Sequence, residues 1–166
     1  MGTSSASTSL SAVNVRRVGR TELGPVFALI QRAYGGKLTQ QELVQKATGY
    51  GYLVAEAQGR IIGVAGMLVE NSVSCVRDLH YSSLSMRGLA IVALMDAIEA
   101  QAGGLACEAV IVQVPPGFAL AEALLHDRHY ERKTLENMKS LWREVASEQF
   151  GGELPLWVNN LRKARG

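Results

Sequence analysis

YLVAEAQGRIIGVAGMLVENSVSCVRDLHYSSLSMRGLA, Tyr52 to Ala90, decides the fold. Two apolar runs, about 52–57 and 60–69, flank Gln58-Gly59, a tight hairpin signal. A third run, Val73 to Tyr81, follows the turn residues Glu70-Asn71-Ser72. It leads into a small-residue loop, Gly88-Leu89-Ala90, and a helix over Ile91–Ala102. A strand that feeds a glycine loop and then a helix suits an anionic ligand. The loop lets backbone approach closely, and the first helical N–H groups point outward with the positive end of the dipole behind them.

Outward from that stretch the chain alternates. Val13 to Val18 reads as a first strand. Thr21 is placed to cap a helix over Glu22–Tyr34, which Gly35-Gly36 stops. Thr39-Gln40-Gln41-Glu42 is a capping box for a short helix ending near Thr48-Gly49. After the third helix, closed by Gly103-Gly104, comes the apolar strand Glu108–Val114. Pro115-Pro116-Gly117 breaks it, and a helix follows over Phe118–Arg128. Leu135–Arg143 and Leu154–Val158 read as late strands. The order is β, α, α, β, β, β, α, β, α, β, β, with no internal repeat.

Composition sets limits. The 166 residues suffice for one domain with a sizeable core, read as 13–161, after a disordered lead-in at 1–12 and before a basic tail at 162–166. Hydrophobic residues at 48% and charged residues at 19% mark a globular chain. A net charge of +2 gives no strong pull toward nucleic acid, and no apolar run reaches membrane-spanning length. The N-terminus lacks a basic segment followed by an apolar one, so a cytoplasmic location is expected. Cys75 and Cys107 are expected to be reduced core thiols.

Three segments in this order resemble the GNAT superfamily of acyl-CoA-dependent N-acyltransferases, over roughly Val13 to Trp142. Ala55 to Gly63, AEAQGRIIG, is similar to the family's hairpin of an acidic residue, a glycine turn and an Ile/Val-Gly pair. Ser85 to Ala90, SMRGLA, resembles the pyrophosphate loop Q/R-x-x-G-x-G/A. Phe118 to Leu125 with His129-Tyr130-Glu131 resembles N-x-x-A-x-x-L-Y followed by G-F. The resemblance implies an α/β (α+β) fold: a mixed, mostly antiparallel central sheet of six or seven strands with helices on both faces. It also implies an acyl-CoA substrate, acetyl-CoA or another, and transfer to a primary amine of a small molecule or peptide. A catalytically degenerate module that binds CoA or another ligand as a sensor is the alternative. No metal, nucleic acid or membrane partner is implied; a homodimer is left open.

This chain departs from the family's pattern at several positions. Ser85 stands for Gln or Arg, Ser82 for a common Pro, Phe118 for Asn and His129 for Gly. Leu125 replaces the tyrosine that often protonates the departing thiolate.

The expected cofactor-binding residues are Leu79, His80, Tyr81, Arg87, Gly88, Leu89, Ala90, Ile91 and Phe118, with the side chain of Arg87 or Arg77 adding charge-assisted bonds to the phosphates. For Gly88 and Ala90 close packing of helix on sheet is the competing reading. Asp78 and His80 are the expected catalytic pair. Strand alternation puts i and i+2 on one face, and a carboxylate beside an imidazole raises its pKa. A solvated strand end with Asp78 paired to a neighbouring arginine is the alternative. Tyr81 and Tyr130 read as core, Glu56 and Glu70 as surface charges, and His126-Asp127-Arg128-His129 as a solvated helix end.

Overall fold

In a computed structural model, residues 12–47, 49–151 and 155–162 are described. The lead-in up to residue 11, the tail from residue 163, Thr48 and Leu154 lie outside them. One seven-stranded sheet organises the rest. Its strands are β1 (Asn14–Arg17), β2 (Gly51–Ala57), β3 (Arg60–Glu70), β4 (Val73–Tyr81), β5 (Ala109–Val112), β6 (Glu131–Lys133) and β7 (Leu156–Asn160). The spatial order is β1-β2-β3-β4-β5-β7-β6. Among the described residues β4 and β5 are parallel neighbours and every other pair is antiparallel. The fold is therefore the expected mixed, mostly antiparallel sheet.

The turns are built as the sequence implies. Gln58 and Gly59 both take positive φ, 54° and 74°, as do Asn71 and Ser72, 49° and 63°. Two consecutive left-handed residues match the right-handed twist of the strands they join.

The helices are α1 (Leu23–Ala33), α2 (Gln40–Ala47), α3 (Arg87–Gly104), α4 (Ala119–Asp127) and α5 (Ser140–Phe150). The parallel β4–β5 pair requires a crossover, and α3 supplies it. One face of the sheet is covered by α3 and α4, through Ala90, Ile91, Leu94, Ile98, Ala121 and Leu125. The other is covered by α1, α2 and α5, through Val26, Ile30, Leu43, Trp142 and Val145. The Thr39 hydroxyl takes the Glu42 amide at 3.1 Å, as the capping box requires, while the Glu42 carboxylate accepts from that hydroxyl at 3.2 Å.

Three expectations need correction. Residues Arg20–Glu22 form a 3-10 turn, so Thr21 lies inside it and α1 starts at Leu23. The third helix starts at Arg87, not Ile91, so Gly88, Leu89 and Ala90 are its first turn. The strand expected over Leu135–Arg143 is instead a 3-10 turn, Leu135–Asn137, and the start of α5. Buried Trp142, Val145 and Ala146 recur at i, i+3 and i+4, the helical period. The short strand β6 precedes them, and β7 starts at Leu156. β6 and β7 pair antiparallel, with α5 between them in the chain.

Candidate active site

The ladder between β4 and β5 is short. It runs from Val73↔Ala109 to Val76↔Val112, and the Gln113 amide adds a last bond to the Val76 carbonyl at 2.9 Å. Beyond it the strands part. The chain after β5 turns off through Pro115-Pro116-Gly117, while β4 continues on β3 alone to Tyr81. The ladder thus ends in a parting of the two strands, the slot, with Leu79–Tyr81 on one side and the 113–118 segment on the other.

A bulge sits where β4 leaves β5. Between Gly66↔Arg77 and Val64↔His80, β3 advances two residues and β4 three. Asp78 lies within the extra span with φ +59°, left-handed backbone inside a strand. Its carboxylate is fully buried. One oxygen accepts the Tyr34 hydroxyl at 2.8 Å, the other that of Tyr52 at 3.1 Å, and Arg77 Nε lies 3.6 Å away. Burial, then the Asp78 charge, pushes both phenols well above their ordinary range, so they stay protonated and donate.

His80 ends up in different surroundings from those expected. Its ring lies 4.6 Å from that of Tyr81 and meets Phe118 edge-on at 5.7 Å; Tyr81 and Phe118 are 5.1 Å apart. These three rings line the parting of the strands. The expected effect of a carboxylate, a raised imidazole pKa, is overturned. Burial first, and the Arg32 charge second, lower the His80 pKa. The physical reason is that Asp78 is occupied by the two phenols, and His80 Nδ1 is buried without a hydrogen-bond partner. The imidazole is neutral near pH 7. Arg32 reaches the end of the same strand, donating to the Ser82 carbonyl at 3.1 Å.

The start of α3 flanks the slot. Arg87 is exposed, with its guanidinium on the Leu84 carbonyl at 2.8 Å. The two readings of the small residues divide between them. Ala90 is fully buried and packs against Gly63, whereas a Cβ on Gly88 would meet nothing within 4 Å. Leu89 is 38% exposed, and Ile91 is buried within the helix. Leu79 is buried toward α3, so only its backbone faces the slot region. Phe118 is the residue before α4 and is buried.

Several other side chains lie elsewhere. Arg77 stacks on Tyr50, 3.7 Å from the ring centroid, on the α1 face and not toward the α3 terminus; it is corrected as a phosphate ligand. Leu125 is fully buried in the core. Tyr130 is buried, with its hydroxyl 3.3 Å from Glu99. Burial pushes the Cys75 thiol up to about 12, which leaves it without nucleophilic thiolate near neutrality. Both cysteines are buried and outside any disulfide. His126 and Asp127 are exposed and 3.9 Å apart. A cavity of about 750 Å³, lined by His129, Lys133, Lys139, Trp142 and Asn159, lies by β6 and β7, away from the slot.

Sequence reasoning missed Tyr34, Tyr52 and Arg32. Tyr34 and Asp78 are 44 residues apart, and no local pattern marks a contact of that range.

No family model matches this chain, and no curated protein matches its sequence significantly. Solved structures do match its fold. A GNAT-family acetyltransferase from Staphylococcus aureus superposes with a TM-score of 0.71 at 14% identity, over 90% of this chain and 99% of that one. N-acetylglutamate synthase from Neisseria gonorrhoeae, complexed with coenzyme A and N-acetyl-glutamate, gives 0.66 at 14% identity, over 90% of this chain and 35% of that one. PaiA N-acetyltransferase from Thermoplasma acidophilum, in complex with coenzyme A, gives 0.57 at 9% identity, over 90% and 99%. The chain is a divergent bearer of the GNAT acyl-CoA N-acyltransferase fold.

Proposed function

We propose that the protein transfers an acyl group, acetyl in the first instance, from acyl-CoA to a primary amine. The observation that carries this reading is the parting of β4 from β5 after Val76 and Val112, beside the open first turn of α3. The residues there fit an acyl-CoA. The first amides of a helix have no partner one turn back. Those of Met86 and Arg87 donate into the preceding 3-10 turn, to Ser83 and Leu84. Gly88 and Leu89 come next and would receive pyrophosphate, with the Arg87 side chain adding charge. Ala90 and Ile91 serve by packing the helix in place. The backbone of Leu79–Tyr81 borders the pantetheine arm, and Phe118 faces it across the slot.

In the transfer, the amine nitrogen's lone pair attacks the thioester carbonyl. A C–N bond forms, the C–S bond breaks, and the thiolate leaves. The amine's proton goes to His80, whose neutral imidazole is ready to accept it. With Leu125 in the core, no tyrosine at that position meets the thiolate; solvent protonates it. A thiol pKa of about 8.5 makes that tolerable. Asp78 is too deeply enclosed to touch the amine.

Two measurements test the reading. Acetyl-CoA should raise the melting temperature in a concentration-dependent way. Thiol release should then appear against a panel of primary amines. No shift with any acyl-CoA would end the proposal, and tight binding without transfer would favour a sensor.

A further inference from the structure

We propose that Asp78 is a positioning residue: held by the hydroxyls of Tyr34 at the C-cap of α1 and Tyr52 on β2, it locks the β4 bulge and so sets the parting of the slot. The consequence for acyl transfer rests on the reading above; the lock itself rests on geometry alone.

An L-residue in left-handed backbone is strained and persists only where its surroundings over-determine it. Asp tolerates that region better than most residues. Here it is over-determined. Asp78 lies two residues beyond the last β4–β5 pair, Val76↔Val112, so its conformation decides where Leu79–Tyr81 go. Both carboxylate oxygens are fixed by phenols from two other elements. A buried carboxylate without such donors would be strongly unfavourable, so the three residues hold one another. The opposite strand is shaped to admit them. A Cβ on Gly66 would lie 3.1 Å from Tyr52 Cε1 and 3.4 Å from the Arg77 carbonyl oxygen.

The clamp has a second point. Arg32, on the last turn of α1, holds the Ser82 carbonyl, and Tyr34, just past that turn, holds Asp78. The end of one helix thus grips both ends of the β4 arm. A displacement of α1 would be passed to the slot through these two bonds.

The test compares Asp78→Asn, Asp78→Gly and Tyr34→Phe by amide hydrogen exchange, acetyl-CoA calorimetry and steady-state kinetics. Asparagine tolerates φ +59°, accepts from one phenol at Oδ1 and donates from Nδ2 to the oxygen of the other, so it should rescue parent-like exchange and kcat. Glycine keeps the backbone but loses the anchor. Exchange at Leu79–Tyr81 should rise, and acetyl-CoA affinity should fall by about tenfold or more, with KM moving more than kcat. Tyr34→Phe should move in the same direction, and it reads the lock if the glycine variant does not fold. Parent-like exchange at Leu79–Tyr81 in both Asp78→Gly and Tyr34→Phe would overturn the lock. A kcat loss of roughly 10²–10⁴ in Asp78→Asn with unchanged exchange would overturn it too, by making the carboxylate chemical. A parent that binds no acyl-CoA would sink the transferase reading, while the exchange comparison would still decide the lock.

Discussion

Gly63 on β3 and Ala90 on α3 meet with no room for another methyl: a Cβ on Gly63 would lie 2.8 Å from that of Ala90. The same atom would also come within 3.1 Å of Leu94 Cδ1 and of the His80 carbonyl oxygen. This contact seats the first turn of α3 against the sheet and fixes its terminus beside the slot. Gly63→Ala should destabilise the fold by about 1–3 kcal/mol, the usual cost of overpacking. Chemical denaturation checks it, and a stability equal to the parent would show that α3 slides freely. Ala90→Gly in the same chain should recover part of the loss, less about 1 kcal/mol of helix propensity.

Gly88 should behave in the opposite way. Its Cβ direction is open, so Gly88→Glu should fold normally, and a carboxylate near a helix N-terminus is favourable to the helix itself. The same charge would repel phosphate at the anion site. Calorimetry should find acetyl-CoA binding abolished with the melting temperature retained. Unchanged affinity would place the ligand elsewhere.

His129 occupies the left-handed position that ends α4, with φ +73°. The Tyr130 amide donates to the Leu125 carbonyl at 3.0 Å and the His129 amide to that of His126 at 3.1 Å, closing a Schellman turn. A glycine is at ease there and a β-carbon is not. His129→Gly should raise stability by up to about 1 kcal/mol, the strain relieved less the added freedom of the unfolded chain. A lower melting temperature would mean that the imidazole makes a compensating contact.

What the sequence disclosed follows from what is local in it. The β2–β3 and β3–β4 hairpins rest on Gln58-Gly59 and Asn71-Ser72, whose backbone needs are intrinsic to those residues. The α3 crossover rests on a helical stripe, Ala90, Ile91, Leu94 and Ile98, that no strand period fits. The α5 helix was legible by the same rule at Trp142, Val145 and Ala146, but expecting two adjacent late strands masked it. In the site, residue types were readable and their relations were not. Asp78 and His80 follow each other by two, yet the bulge between β3 and β4 breaks the alternation that links them. The partners of Asp78 come from residues 34 and 52, which only the folded sheet brings to it.

The pH behaviour of His80 carries the last prediction. Burial and the Arg32 charge lower its pKa, so the folded chain binds this proton less readily than the unfolded chain. The stability tied to the neutral imidazole is present above its ordinary value of about 6.5 and is lost as pH falls through the depressed folded value. If His80 accepts the amine's proton, the acid limb of kcat/KM should likewise lie below about 6.5. His80→Ala should lower kcat/KM by roughly 10²–10⁴-fold, while Tyr130→Phe, which alters a core hydroxyl bonded to Glu99, should change little. Arg32→Gln separates the two causes. The amide still has a donor for the Ser82 carbonyl, but the positive charge is gone. Its acid limb should move toward higher pH without reaching the ordinary value, since burial is the larger cause and remains. A pH profile that does not move in Arg32→Gln, with transfer activity intact in His80→Ala, would remove His80 from the chemistry.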